Sequence, residues 1–149
     1  MNYTYDEYFM NLALKEAKIA LKLGEVPVGC VIVKNGEVIS KAHNEKEKQH
    51  DVTAHAEILA IKKAEKKLGN WRLDGCKIYV TLEPCLMCTG AIIQSRISEI
   101  CVGVLRTNKN EPTMSDFMDL LFDSGISFKK NILEKKINNE IKSFFDKLR

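Results

Sequence analysis

The amino-acid sequence predicts an α/β fold in which helices cover both faces of a mixed five-stranded sheet. The first observation is the order of the elements, since helical and strand patterns follow one another as α-β-β-α-β-α-β-α-β-α. The second is the length of 149 residues, 45% of them hydrophobic and 29% charged, which suits a single globular domain over residues 1–149. The third is that no apolar run is long enough to span a bilayer, so no membrane association is expected.

The first half of the chain predicts two helices separated by a β-hairpin. Asn35–Gly36 stands between two apolar runs, and Asn-Gly is the strongest short signal for a two-residue turn. Gly24 and Gly69 each follow a segment with helical apolar spacing and provide stop signals. The predicted elements are a helix over 5–23, strands over 26–33 and 37–40, a loop over 44–49 and a helix over 54–68.

The second half predicts three strands alternating with helices. Pro84 is expected at the first helical position, because the N–H that proline lacks would be unpaired there. The predicted elements are a strand over 76–82, a helix over 84–95, a strand over 99–105, a helix over 113–122, a short edge strand over 127–131 and a closing helix over 133–148.

Charge and cysteine usage narrow the function classes. Residues 129–149 carry seven Lys/Arg against three Asp/Glu, which fits either a solvated helix face or a patch that binds a nucleic-acid backbone. The first residues lack the basic start and apolar core of a secretory signal, and five cysteines is an odd number. A cytoplasmic protein without a disulfide framework is therefore predicted.

Two short segments carry the chemistry, T-A-H-A-E-I-L-A from Thr53 and T-L-E-P-C-L-M-C from Thr81. Cys85 and Cys88 lie three residues apart on one face of a helical turn, and with His55 they supply three ligands that suit zinc. The alternative for a C-x-x-C pair is redox chemistry, but that interpretation leaves His55 without a role.

A structural zinc site would need a fourth ligand, and the remaining candidates are poor. Cys30 and Cys101 lie in apolar strand runs and are expected in the core, while Cys76 opens a strand away from the metal. His43 and His50 are expected to be loop residues. The ion is therefore predicted to keep one position open for water, which is typical of catalytic zinc.

Glu57 lies two residues after His55, close to the ion without having to bind it. A zinc-bound water has its pKa lowered from ~15.7 to ~7, and a nearby carboxylate can move its proton to a leaving nitrogen, which contributes roughly 10²- to 10⁴-fold. The alternative is a carboxylate that only offsets the positive end of the helix dipole.

These motifs resemble the H-x-E…P-C-x-x-C signature of zinc-dependent nucleoside and nucleobase deaminases. More of the chain is similar to the bacterial tRNA-specific adenosine deaminases, and the resemblance is dense from Gly24 to Gly103. It rests on GEVPVG, an asparagine after the hairpin, HD.TAHAE, YVTLEPC.MC.GA, SRI and a closing FF helix. The resemblance implies a three-layer α/β/α, cytidine deaminase-like fold, Zn²⁺ as cofactor and a homodimer. It also implies that adenosine becomes inosine at the wobble position of a tRNA anticodon loop.

The same resemblance implies roles for single residues. Zinc would be bound by His55, Cys85 and Cys88, and Glu57 would shuttle protons. Asn44 resembles the family asparagine that hydrogen-bonds the flipped base, although a lone asparagine here would otherwise indicate a turn. Of the two closing phenylalanines, one is expected in the core and the other, taken as Phe145, is expected to stack on a nucleotide.

One segment departs from the family pattern. After Gly103 the family usually has an acidic residue and a Gly-rich loop, whereas Val104–Phe117 has no glycine and no Asp before Asp116. Because that loop borders the substrate in the family, a deaminase of a free guanine- or cytosine-type base or nucleoside remains an alternative. A structural zinc module that binds RNA is a second alternative, against which Glu57 argues.

Overall fold

A computed structural model describes residues 2–107 and 110–147, except the side chains of residues 142, 143 and 145–147. Its helices are α1 (Tyr5–Lys22), α2 (Lys46–Gln49), α3 (Ala56–Leu68), α4 (Leu86–Gln94), α5 (Met118–Asp123) and α6 (Glu134–Lys147). Its strands are β1 (Gly29–Lys34), β2 (Glu37–His43), β3 (Cys76–Leu82), β4 (Glu99–Val104) and β5 (Ser127–Lys129). In the part of the chain so described, no helix is both long and apolar enough to cross a membrane.

The five strands form one mixed sheet in the order β2-β1-β3-β4-β5, which confirms the predicted fold class. Strand β1 pairs antiparallel with both β2 and β3, and the Asn35–Gly36 turn of the hairpin has φ of 51° and 77°, as this dipeptide favours. Strands β3, β4 and β5 are parallel, so α4 and α5 serve as the crossover connections. The ligand-bearing start of α4 therefore lies at the carboxyl end of β3.

Alternate residues of the central strands face two separate apolar clusters. Cys30 of β1 and Ile100 of β4 face a cluster with α3 and α4, whereas Val31 and Cys101 face a cluster with α1 and α6. Helices thus cover both faces of the sheet, as predicted. Cys30 and Cys101 are fully buried, so both are core residues as the sequence indicated.

Helix α1 lies unusually close to strand β1. A Cβ atom placed on Gly29 would stand 1.9 Å from the carbonyl oxygen of Ala13 and 2.5 Å from the amide nitrogen of Ala17. Only a glycine leaves room for backbone at this distance. The GEVPVG segment ends in Gly29, the first residue of β1, and only glycine at this position allows α1 to dock on the sheet.

Two predictions on the hairpin side are wrong. Residues 46–49 form the short helix α2 instead of a loop, and His43 is the last residue of β2 instead of a loop residue. Helix α2 forms because the backbone N–H groups of Glu47 and Lys48 donate to the buried carboxylate of Glu25, at 3.0 and 2.8 Å. This cap comes from more than twenty residues earlier, so helix spacing within 44–49 does not predict it.

The predicted start of α4 is also wrong. Pro84 lies outside the helix: Cys85 is the N-cap and Leu86 is the first helical residue. The carbonyl of Pro84 instead accepts a hydrogen bond from the backbone N–H of Met114, at 3.0 Å, which holds it in an extended connection. The predicted helix over 113–122 is a 3₁₀ turn (Met114–Phe117) followed by α5.

Candidate active site

Three potential metal ligands meet at the beginnings of two helices. His55 is the N-cap of α3 and Cys85 the N-cap of α4, while Cys88 lies in the first turn of α4. The Nδ1 atom of His55 is 3.6 Å from Sγ of Cys85 and 3.5 Å from Sγ of Cys88. Zinc forms bonds of ~2.1 Å to nitrogen and ~2.3 Å to sulfur, so ligand atoms ~3.5 Å apart fit one tetrahedral ion. The donor set and its spacing therefore fit Zn²⁺.

The backbone around these ligands favours negative charge. Neither N-cap side chain is used to cap its own helix, so both are directed to the shared site. The unpaired N–H groups and positive dipole ends of α3 and α4 stabilise thiolates nearby. A hydrogen bond from Cys88 is the chief cause that lowers the pKa of Cys85 to about 3, and His55 lowers it further. The same bond is the main cause that raises the pKa of Cys88.

Glu57 lies in the first turn of α3 and is buried, with 3% of its surface exposed. Burial is the main cause that raises the pKa of its carboxyl group, although the positive charge on His55 opposes the shift. Its carboxylate also lies beside the thiol of Cys88. A carboxyl group with a raised pKa, held next to the ligand cluster, is suited to accept and return a proton.

A cavity of about 170 Å³ opens onto this cluster. It is smaller than the roughly 300–1,000 Å³ of drug-sized pockets, so it suits one base more than a whole nucleotide. Its lining consists of Val26, Val28, Asn44, Lys46, His55, Ala56, Glu57, Arg106 and Glu111. The structure thus brings His55, Glu57 and Asn44 to a single cavity.

Asn44 is held rigidly in that lining. Its side chain is buried, Nδ2 donates to the carbonyl of Val26 at 3.4 Å, and Oδ1 accepts from the backbone N–H of Lys46 at 3.2 Å. A side-chain amide has two donor hydrogens and two acceptor lone pairs, so one of each remains for a ligand. Its predicted role in hydrogen-bonding a base is therefore compatible with its geometry.

Two buried glutamates that sequence reasoning missed hold the outer parts of the cavity. Glu25 caps α2, which carries the cavity residue Lys46. Glu83 accepts hydrogen bonds from the loop that carries the cavity residues Arg106 and Glu111. Burial opposes ionisation of Glu83, but bonds from that loop lower its pKa overall. The one available signal was a lone glutamate inside each otherwise apolar motif, GEVPVG and TLEPC.

Two predictions concern the C-terminal segment, the stacking of Phe145 and the basic patch over residues 129–149. The side chain of Phe145 lies outside the described residues, and Phe144 is half-buried in α6. Part of the basic excess is used inside the protein, since Lys129 contacts Asp6 at 2.9 Å and Lys136 contacts Asn11 at 2.7 Å. These two lysines are therefore weaker candidates for a backbone-binding patch than the sequence alone indicated.

Fold and site together define a zinc-dependent deaminase of the cytidine deaminase class. The model of the family described as "cytidine and deoxycytidylate deaminase zinc-binding region" matches residues 3–104. The tRNA-specific adenosine deaminase of Bacillus subtilis (strain 168) is 41% identical over 148 residues, which covers 98% of this chain and 92% of that protein. The chain belongs to the family of tRNA-specific adenosine deaminases.

Solved structures agree with this assignment. One comes from a study of A-to-I editing by tRNA:A34 deaminases at the wobble position of transfer RNA. It has a TM-score of 0.80 and 36% identity over 89% of this chain and 97% of the other. The guanine deaminase from Bacillus subtilis has a TM-score of 0.65 and 40% identity, over 70% of this chain and 66% of the other. The fold is thus shared by proteins named for different substrates.

Proposed function

We propose that this protein hydrolyses adenosine to inosine at the wobble position of a tRNA anticodon. The observation that carries the proposal is a single cavity lined by an oriented Asn44, a buried Glu57 and His55, the residue that joins the cavity to Cys85 and Cys88. Family membership supports adenosine in tRNA as the substrate, because this group of relatives is named for it.

The residues divide the reaction between them. His55, Cys85 and Cys88 hold Zn²⁺, which when bound supplies a water molecule activated for attack at neutral pH. The Glu57 carboxylate accepts a proton from the attacking water at one of its oxygens. It then delivers that proton to the exocyclic nitrogen, so that water and adenosine become inosine and ammonia with no further reactant.

Asn44 orients the base while Glu57 moves the proton. Because its amide is fixed by Val26 and Lys46, the remaining N–H and lone pair present a donor and an acceptor to the edge of a base. The cavity has room for one base, which must leave its stack to enter. An anticodon loop presents unpaired bases, for which this costs little.

We infer a cytoplasmic homodimer from related observations. Val52, directly before the first ligand motif, and Leu86, between Cys85 and Cys88, are 67% and 48% exposed, and a second copy of the chain would cover both. A tRNA substrate places the reaction in the cytoplasm. The same proposal includes stacking of the Phe145 ring on a nucleotide beside the wobble base.

The second candidate is a deaminase of a free base, which the 40% identity to a guanine deaminase favours. The test is inosine formation in an anticodon stem-loop with adenosine at the wobble position, using zinc-loaded protein. A matched stem-loop with that adenosine moved to the next position is the control, and guanine, cytosine and cytidine are assayed in parallel for ammonia.

Inosine at the wobble position alone would support the proposal. Ammonia from a free base, with both stem-loops unchanged, would overturn the proposed substrate and retain the proposed roles of the zinc ligands and Glu57. Equal inosine in both stem-loops would overturn the assignment of the wobble position.

A further inference from the structure

Glu83 places a buried carboxylate between the metal-binding turn and the loop that follows β4. Its side chain is 1% exposed, and it stands two residues before the ligand Cys85. Its carboxylate oxygens accept hydrogen bonds from the backbone N–H of Arg106 at 3.0 Å, the backbone N–H of Ser115 at 2.8 Å and the hydroxyl of Thr113. Three donors spread over ten residues therefore converge on one carboxylate.

The backbone of the same turn fastens this loop further. The N–H of Glu83 donates to Val104 at 2.8 Å, and its carbonyl accepts from Nε of Arg106 at 3.0 Å. Arg106 is thus held by Glu83 at both its backbone and its side chain. Past Glu83, the N–H of Leu86 donates to the carbonyl of Pro112 at 3.1 Å. The loop is therefore attached at both its ends to the connection between β3 and α4.

The loop forms one wall of the cavity that holds the proposed zinc site. Arg106 and Glu111 line that cavity, and they are its only charged residues from beyond β4 among those described. Residues 105–107 and 110–112 are half-buried or exposed, whereas Thr113 and Met114 at the end of the loop are fully buried. The exposed part of the loop is therefore held largely by hydrogen bonds, those to Glu83 and the backbone bonds of Pro112 and Met114 to Leu86 and Pro84.

We propose that Glu83 is a positioning residue that fixes the described part of the loop after β4, residues 105–107 and 110–115, as the substrate-facing wall of the cavity. The proposal rests on the proposed function of the site. Glu83 does not touch the reacting atoms, because its carboxylate is occupied by the three loop donors. It acts through Arg106 and Glu111, whose placement decides how a nucleotide larger than its base meets the cavity mouth.

A purely structural role would give a different result. A stabilising buried carboxylate would change the free energy of unfolding and leave substrate binding in the folded enzyme unchanged. A positioning residue instead weakens binding of the nucleic acid while the chemical step survives, because Glu57 and the ligands remain in place. The split between KM and kcat separates the two.

The experiment compares Glu83→Gln with Glu99→Gln in the zinc-loaded full chain. Both variants replace a carboxylate by an amide, and Glu99 lies at the far end of the sheet, paired with Lys77. Steady-state kinetics on the wobble-adenosine stem-loop are measured together with zinc content and hydrogen exchange of peptides covering 105–115 and β3. Glu83→Gln is expected to raise KM about tenfold or more, change kcat by less than about threefold, and speed exchange in 105–115 alone.

An unchanged KM together with unchanged exchange in 105–115 would overturn the proposal, and so would loss of zinc with a fall in kcat alone. If Glu83→Gln does not fold, Thr113→Ala removes one donor and must show the same split at smaller size. Hydrogen exchange tests the attachment of the loop whatever the substrate is. If the wild type acts on a free base instead, the proposed function fails while the exchange result still decides the role of Glu83.

Discussion

The metal-binding half of the cavity and its outer wall are built in different ways. The metal-binding half consists of two helix N-termini, and each ligand motif is local in the sequence. The outer wall includes α2 and the loop after β4, and each donates backbone hydrogen bonds to a buried glutamate that is distant in sequence, Glu25 or Glu83. The proposed zinc ligands thus lie at helix starts, while the outer wall depends on contacts between distant parts of the chain.

The family match shows the same division. The family description ends at residue 104, immediately before the loop that departs from the usual pattern. The similar proteins are named for adenosine in tRNA and for guanine.

The largest expected effect comes from removing a ligand in the metal-binding half. Cys88→Ala should abolish stoichiometric zinc binding and with it all deaminase activity, since two ligands do not make a closed or a catalytic zinc site. Metal content after gel filtration, measured by elemental mass spectrometry, checks this. Cys76→Ala is the matched control, because Cys76 is a buried cysteine at the opposite end of β3 and should leave zinc unchanged. Full zinc content in Cys88→Ala would contradict the ligand assignment.

The second effect separates proton transfer from metal binding within the same half. Glu57→Gln should keep zinc and fold, and should lower kcat by roughly 10²- to 10⁴-fold, because the amide cannot accept the proton. Single-turnover kinetics on the stem-loop provide the measurement. Glu65→Gln, on the same helix α3, serves as the control and should retain wild-type rates. Wild-type turnover by Glu57→Gln would mean that another group carries the proton.

The smallest effect is expected in the outer wall. Glu25→Gln removes the charged acceptor for two backbone N–H groups of α2, which should lower the free energy of unfolding by about 1–3 kcal/mol. Urea denaturation of the zinc-loaded protein measures it. Glu37→Gln, at an exposed position of β2, should change stability by less than about 0.5 kcal/mol. Equal stability of the two variants would show that Glu25 does not hold α2 in place.

Most of the sheet and the ligand set follow from sequence because their signals are local. Asn35–Gly36 alone indicates the hairpin, and short continuous apolar runs indicate the strands that bury Cys30 and Cys101. Cys85 and Cys88 lie three residues apart within one helical turn, and Glu57 follows His55 by two residues. Such features need no knowledge of what lies across the fold.

The errors occur where a distant side chain decides the local backbone. Helix α2 depends on Glu25, and the start of α4 is displaced to Leu86 because Pro84 pairs with the loop at Met114. The roles of Glu25 and Glu83 could not be predicted, because the sequence around a glutamate does not show which distant N–H groups will donate hydrogen bonds to its carboxylate. Long-range hydrogen bonding is invisible to patterns read over a few residues.

The attachment of the loop to Glu83 also sets a rule for redesign. What the carboxylate requires is a hydroxyl at position 113 and backbone N–H groups at 106 and 115, and only the first of these depends on side-chain identity. Of the described residues between them, 107, 110 and 111 supply none of these groups and are therefore open to replacement, while proline is excluded at 106 and 115 because it lacks an N–H. A library confined to 107, 110 and 111 would vary the cavity wall and leave the zinc ligands and Glu57 unaltered.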